Sequence, residues 1–220
     1  MSVSNKYFIK DGYIENEQVM TISSADNSTE YWSQENIGAS KYYQYYVYVL
    51  ARKLMLRHSL TSVIDLGCGP GVKLHELLSP LAKEVVGVDQ ESAVTYCKAH
   101  YPESKFYSVD LEHIDQAGPR DHFDLIVCSD VIEHLKDPDG LLQYIRNIAH
   151  SGSFVVISTP ERDVIRGKDS TNSPNRYHIR EWNSAELSLY LESKGLHVIQ
   201  SALLPPLKPT LKLKFMQEII

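Results

Sequence analysis

Cysteine is scarce in this chain: Cys68, Cys97 and Cys128 are three residues in 220, and they stand at no metal-ligand spacing. A disulfide framework or a cysteine zinc site is therefore not expected, and the scarcity suits a reducing compartment. No apolar run in the sequence approaches the roughly 20 residues that cross a bilayer. The opening MSVSNKYFIKDGYIENEQ has no apolar signal-peptide core. The expectation is a cytoplasmic protein with no membrane span. Excess positive charge is missing too, with 22 Lys and Arg against 28 Asp and Glu, a net charge of −6. Phosphate neutralisation dominates nucleic-acid affinity, so this balance argues against a nucleic-acid partner. Internal repeats and low-complexity linkers are absent. What is present, 43% hydrophobic and 23% charged residues, suffices for one globular domain with its own core.

The first 35 residues are polar and irregular and read as an N-terminal arm or lid, leaving one domain over 36–220. That domain begins with NIGASKYYQYYVYVLARKLMLRHS, where Tyr42, Tyr46, Val49, Leu50 and Leu54 recur at helical spacing. Five tyrosines fall between 42 and 48. They suit a packed aromatic face, or one or two hydroxyls lining a ligand site.

From residue 62 the pattern changes. SVIDLG, EVVGVD, SKFYSVD, HFDLIVCSD and GSFVVISTP are short runs rich in Val and Ile, separated by helical patterns. Leu74, Leu77, Leu78 and Leu81 mark one helix. Leu141, Leu142, Ile145 and Ile148 mark another, with Asp139 as its cap. Asn183 and Glu186 have capping-box spacing before Leu187, Tyr190 and Leu191, and Gly195 is the stop. HVIQSALL reads as a sixth strand, and KPTLKLKFMQEII as an antiparallel seventh. Near-continuous apolar strands alternating with helices predict an α/β domain, doubly wound, with a mostly parallel sheet covered by helices on both faces.

The loop DLGCGPG, Asp65 to Gly71, follows a strand and precedes a helix. In an open parallel sheet ligands bind beyond the carboxyl ends of the strands, at the switch point. Gly67 and Gly69 permit a tight turn and close backbone approach. The spacing is GxGxG with an acid in front, where a dinucleotide site wants glycines that admit a pyrophosphate. A ligand without phosphates, carrying a cationic centre and an ammonium, would welcome that acid. Asp89 and Asp110 close the next two apolar runs, where carboxylates can accept from ribose hydroxyls and an adenine amino group.

VIDLGCGPG, VVGVDQ, SVDLE and FDLIVCSDVIEHLKDP, in this order, resemble the class I S-adenosylmethionine-dependent methyltransferases, over about residues 35–200. The resemblance implies a Rossmann-like, seven-stranded sheet in the order 3-2-1-4-5-7-6. It implies S-adenosylmethionine as cofactor, with Asp65, Gly67, Cys68 and Gly69 around the methionyl part and Ser129 near it. Asp89 would take the ribose, Gln90 would flank the adenine, and Asp110 with Leu111 would bind its edge.

The acceptor side centres on SDVIEHLKDP. If this segment is helical, Asp130, Glu133 and His134 fall at i, i+3 and i+4 on one turn. His134 or His178 could be a general base for an acceptor hydroxyl, with Glu133 and Asp130 orienting it. Asp130, Glu133, His134 and a second imidazole, His178, could instead hold a divalent metal such as magnesium. The bland reading is a capped turn in which His134 bonds to backbone. The loop at 158–182 carries Arg162, Arg166 and Arg180, which would position an anionic acceptor such as a phosphate or carboxylate, unless they form surface salt bridges. STPERD…RG…NRYHIREW also resembles methyltransferases linked to polysaccharide and glycoconjugate biosynthesis, which implies O-methylation of a sugar or other small acceptor. A second resemblance is to quinone-biosynthesis and small-RNA 2′-O-methyltransferases, whose metal motif ExxEH has Asp130 at its first position here. A non-catalytic cofactor-binding partner subunit and a spermidine-synthase-like use of decarboxylated cofactor complete the alternatives, although the cationic loop argues against a polyamine. No motif encodes an oligomeric state.

Overall fold

The apolar runs form five parallel strands: β1 (Ser62–Leu66), β2 (Glu84–Asp89), β3 (Lys105–Ser108), β4 (Leu125–Ser129) and β5 (Phe154–Ser158). The computed structural model describes residues 6–16 and 34–205. Among these residues the strand order is β3-β2-β1-β4-β5. β1 is therefore the pivot, pairing with β2 on one side and β4 on the other, with Asp65 opposite Gly87 and Val127. The chain winds outward in both directions from β1 and β4, and the crevice between their carboxyl ends is the switch point.

Alternation along the strands feeds two cores. Ile64, Leu66, Val86, Val88, Ile126 and Cys128 face one side. There the helix Pro138–Ile148 brings Leu141, Leu142, Ile145 and Ile148, and the helix Ser184–Ser193 brings Tyr190 and Leu191. Val63, Val85, Leu125 and Val127 face the other, against the helices Tyr45–His58 and Glu91–His100. Each fully buried aliphatic side chain contributes about 1.5–3 kcal/mol of transfer free energy, so two complete faces make this sheet the organising element.

Several local expectations change. Among the described residues the sheet has five strands, not seven. HVIQSALL, residues 197–204, has no regular secondary structure and joins no ladder, with Ile199 69% and Leu203 63% exposed. In the implied order a sixth strand pairs with the seventh, and the expected seventh, KPTLKLKFMQEII, lies outside the described residues. The helix Tyr45–His58 buries Val47, Tyr48, Ala51 and Met55 rather than the stripe through Tyr42, Tyr46, Val49, Leu50 and Leu54. Gln44 starts this helix from a left-handed conformation (φ 50°), which resets its rotation relative to the preceding turn. Leu74–Leu78 is a π turn followed by a 3₁₀ turn, Ser79–Leu81, in which Pro80 has no N–H to continue the ladder. Asp137, not Asp139, caps the helix at Pro138, while Asp139 accepts from Tyr190 and Lys194. The capping box at Asn183 and Glu186 forms as read, and Gly195 (φ 82°) ends that helix.

The N-terminal segment 6–16 lies as a strap over the 158–182 loop. Trp182 Nε1 donates to Tyr7 O, Lys10 N donates to Glu186, and Asn16 N donates to Ile179 O.

Candidate functional site

The glycine loop is pinned from both sides. Gly67 N and Cys68 N donate to Val88 O, and Gly69 N donates to Asp89 Oδ2 at 2.7 Å. Gly67 adopts φ 84°, and a Cβ there would stand 2.3 Å from Val131 Cγ2. Only glycine lets β1 turn this tightly beside the segment after β4. Asp65, at the end of β1, is fully buried. Tyr48 Oη donates to its Oδ2 at 2.9 Å, while Oδ1 has no partner. Burial pushes its pKa up to about 7, against the opposing pull of the Tyr48 hydrogen bond and the Lys73 charge.

Asp89 is buried at the end of β2, where its second oxygen accepts from Gln90 N at 2.7 Å. Burial raises its pKa, opposed by the two backbone amides. Gln90 is exposed beside it, at the start of the helix Glu91–His100. Asp110 stands two residues past the end of β3 and is exposed, accepting from Glu112 N to cap the 3₁₀ turn Leu111–His113. The Leu111 side chain reaches toward Gly67, 3.7 Å from where its Cβ would be. Cys68 is buried with its thiol on Gly69 O, and Ser129 Oγ is 2.8 Å from Ser158 Oγ. The expected cofactor residues thus gather around one crevice. The tightness at Gly67 is met by Val131, so it is the buried Asp65 oxygen without a partner that fits a ligand with a cationic group.

The acceptor side departs from the helical reading. Asp130 is left-handed (φ 53°), and Ile132–His134 is a 3₁₀ turn. The Asp130 carboxylate therefore turns away, accepting from Gln44 Nε2 at 2.9 Å and Ser158 Oγ at 2.7 Å. Glu133, His134 and His178 do come together, with ligand atoms within 4.8 Å of one another, and Asp130 is not in that group. Glu133 is fully buried and neither carboxyl oxygen has a partner. Burial first, and the Asp130 charge second, push its pKa far up.

His134 Nδ1 meets Tyr177 O at 2.7 Å. A carbonyl only accepts, so the proton sits on Nδ1 and the Nε2 lone pair remains open. The bland reading is thus half right: one ring nitrogen bonds to backbone and the other does not. The residue has an exposed edge, yet protein crowds the ring; this desolvation and the neighbouring His178 lower its pKa to about 4. The two imidazoles meet edge to face at 4.8 Å. His178 is buried, donates from Nδ1 to Glu181 at 2.6 Å, and accepts at Nε2 from Asn175 Nδ2 at 2.8 Å. Burial opposes the charge of Glu181, but hydrogen bonds from His178, Arg166 and Ser173 outweigh it and hold that carboxylate at about 2. Glu133 and His134 offer a carboxyl without partners and one open imidazole nitrogen, whereas the Nε2 lone pair of His178 is taken by Asn175, so a divalent cation would find two open ligands here and would reach His178 only by displacing that amide.

The arginines expected to meet an acceptor are engaged internally. Arg162 is 1% exposed and bidentate to Glu186, at 2.6 and 3.0 Å. Arg166 pairs with Glu181 through both oxygens. Arg180 is 1% exposed and bidentate to Glu15 of the strap. It also donates to Leu135 O and Lys136 O, tying the 177–181 turn to the turn that carries His134. Two residues of the site gave little signal in the sequence. Tyr48 was one of five clustered tyrosines, and Lys73, 9% exposed, stood unmarked after the glycine loop.

A family model described as a methyltransferase domain matches residues 39–201. A Mycolicibacterium smegmatis protein named "Probable S-adenosylmethionine-dependent methyltransferase" is 32% identical over 155 residues, 68% of this chain and 57% of that protein. A ubiquinone biosynthesis O-methyltransferase of Nitrosomonas europaea is 31% identical over 107 residues, 46% of this chain and 45% of that protein. The chain thus spans about half the length of these curated relatives. The crystal structure of YcgJ from Bacillus subtilis superposes with a TM-score of 0.57 at 20% identity, over 69% of this chain and 68% of that one, a likeness of fold.

Proposed function

Since the chain belongs to the methyltransferase-domain family, we propose that it transfers the methyl group of S-adenosylmethionine to a hydroxyl oxygen of a small acceptor. The single observation that carries the acceptor chemistry is the open Nε2 of His134 beside Glu133 and His178, at the carboxyl end of β4. The cofactor is S-adenosylmethionine, whose sulfonium supplies an activated methyl group. The chain must bind it, align the acceptor and manage one proton. Asp89 accepts from the ribose hydroxyls, and Gln90, Asp110 and Leu111 border the adenine. Asp65 Oδ1 accepts from the ammonium of the amino-acid end, with Gly67, Cys68, Gly69 and Ser129 around it. His134 Nε2 takes the acceptor's proton.

A second reading is favoured by the partnerless Glu133 carboxyl: a divalent cation on Glu133 and His134, joined by His178 once Asn175 releases its Nε2, which would lower the pKa of the acceptor hydroxyl. With Arg162, Arg166 and Arg180 paired inside the protein, the argument for an anionic acceptor loses its basis. The relative named for ubiquinone biosynthesis favours a phenolic hydroxyl over a sugar hydroxyl.

The test is label transfer from methyl-labelled S-adenosylmethionine into a fractionated cell extract, with and without chelator. Label in small phenolic or quinone-precursor fractions supports the reading, and label in nucleotide-sugar or glycolipid fractions moves the acceptor to a glycan. Loss of transfer with chelator, restored by magnesium, supports the cation. Label only in RNA contradicts a small acceptor. Cofactor binding with no label anywhere indicates a non-catalytic cofactor-binding subunit.

A pH dependence follows from Asp65. An ammonium is held by the ionised carboxylate, and Asp65 ionises through about pH 7. Affinity for S-adenosylhomocysteine should rise by up to about tenfold per pH unit from about pH 5.5 to 7, then level off. Ligand-free stability should move the opposite way. The folded pKa lies above the unfolded value, so the folded state binds more protons between about pH 4 and 7 and loses stability as pH rises through that window. Calorimetric titrations across pH check both signs, and a flat affinity would place the ammonium elsewhere.

A further inference from the structure

Lys73 lies two residues past the glycine loop, buried beside Ser40, the last residue of the helix Gln34–Ser40. Its ammonium donates to Ser40 O at 2.8 Å and stands 5.0 Å from the centre of the Tyr48 ring. The Tyr48 hydroxyl in turn holds one oxygen of Asp65, whose other oxygen has no partner. The Lys73 and Asp65 charges are near enough to act on each other's ionisation. No ion pair closes between them among the described residues, and one of three ammonium donors is engaged. Buried opposite charges normally pair directly, because an unpaired charge away from water costs several kcal/mol. Two that stay apart, each with spare hydrogen-bonding capacity, suit an occupant bearing both complementary charges. An α-amino acid group is such an occupant: a carboxylate and an ammonium on one carbon.

We propose that Lys73 binds the carboxylate of the cofactor's amino-acid end while Asp65 Oδ1 takes its ammonium, so that the site selects the carboxylated cofactor over its decarboxylated form. This rests on the cofactor reading above and adds a binding residue to it. Burial lowers the pKa of Lys73, and a bound carboxylate restores the charged form.

The experiment is calorimetric titration of the full chain with S-adenosylhomocysteine and with S-adenosyl-3-thiopropylamine, which keeps the nucleoside and the amine but lacks the carboxylate. Wild type should bind the first about tenfold to a hundredfold more tightly, the size of one charge-assisted hydrogen bond. Lys73→Met should erase that preference by weakening S-adenosylhomocysteine alone, and Lys73→Arg should keep part of it. Unchanged binding of the decarboxylated ligand by Lys73→Met also shows that the variant is folded. An equal loss for both ligands, or no loss for either, would overturn the proposal and leave Lys73 as a staple to Ser40. If Lys73→Met does not fold, Lys73→Gln decides, and wild-type selectivity in that variant overturns the proposal. Wild type that binds neither ligand would instead overturn the cofactor reading, and this inference with it.

Discussion

His134→Ala should lose about a hundredfold to ten-thousandfold in turnover, the usual weight of a positioned acid–base group, with affinity for S-adenosylhomocysteine unchanged. The separation follows from geography. His134 sits in the turn after β4, while the residues proposed to hold the ribose and the amino-acid end, Asp89 and Asp65, stand at the ends of β2 and β1. Its Nδ1 hydrogen bond to Tyr177 O fixes the tautomer and aims Nε2 away from the backbone. Deleting the ring removes one hydrogen bond, worth about 1 kcal/mol net, from a residue with an exposed edge, so the fold should survive. A pKa near 4 keeps the imidazole unprotonated across the neutral range but makes it a weak base. A cation on Glu133 and His134 would occupy that same Nε2 lone pair, so His134 would then serve as a ligand and the cation would acidify the acceptor hydroxyl; chelator would reproduce the His134→Ala loss in wild type. Single-turnover methyl transfer, measured beside calorimetric binding, checks the split. Full turnover in His134→Ala removes the residue from the mechanism.

The second large effect is on binding. Asp89→Ala should weaken S-adenosylhomocysteine by about 1.5–3 kcal/mol, roughly tenfold to a hundredfold in Kd. Two causes add. The ribose loses its acceptor, and Gly69 N loses the carboxylate that holds the glycine loop in shape. Asp89→Asn should lose less, because its amide oxygen still accepts from one of the two backbone N–H groups now on Asp89. Equilibrium binding of both variants, with thermal unfolding alongside, separates loop anchoring from ribose recognition. Wild-type affinity in Asp89→Ala would mean that the ribose lies elsewhere.

The parts of this molecule that could be read from the sequence are those whose cause is local. SVIDLG and DLIVCS are strands because a strand buried on both faces needs an unbroken apolar run, and the tight turn at Gly67 needs a residue without Cβ. Asn183 and Glu186 cap a helix from three residues apart. What escaped depends on partners distant in the chain. Arg180 reads as an anion binder until Glu15, 165 residues away, takes its guanidinium. Arg162 is settled by Glu186, 24 residues on. The spacing predicts a helical turn holding Asp130, Glu133 and His134, but aspartate tolerates the left-handed conformation, and one such residue redirects the segment after β4. His178 joined His134 as expected because the loop after β5 must return across the same strand ends.

The most direct measurement is a crystal structure of the full chain with S-adenosylhomocysteine bound. The expected result is ribose hydroxyls on the Asp89 carboxylate, the amino-acid end between Asp65 and Lys73, and the sulfur facing the turn that carries His134. Ligand bound outside the β1–β4 crevice, or a sulfur turned away from His134, would contradict it.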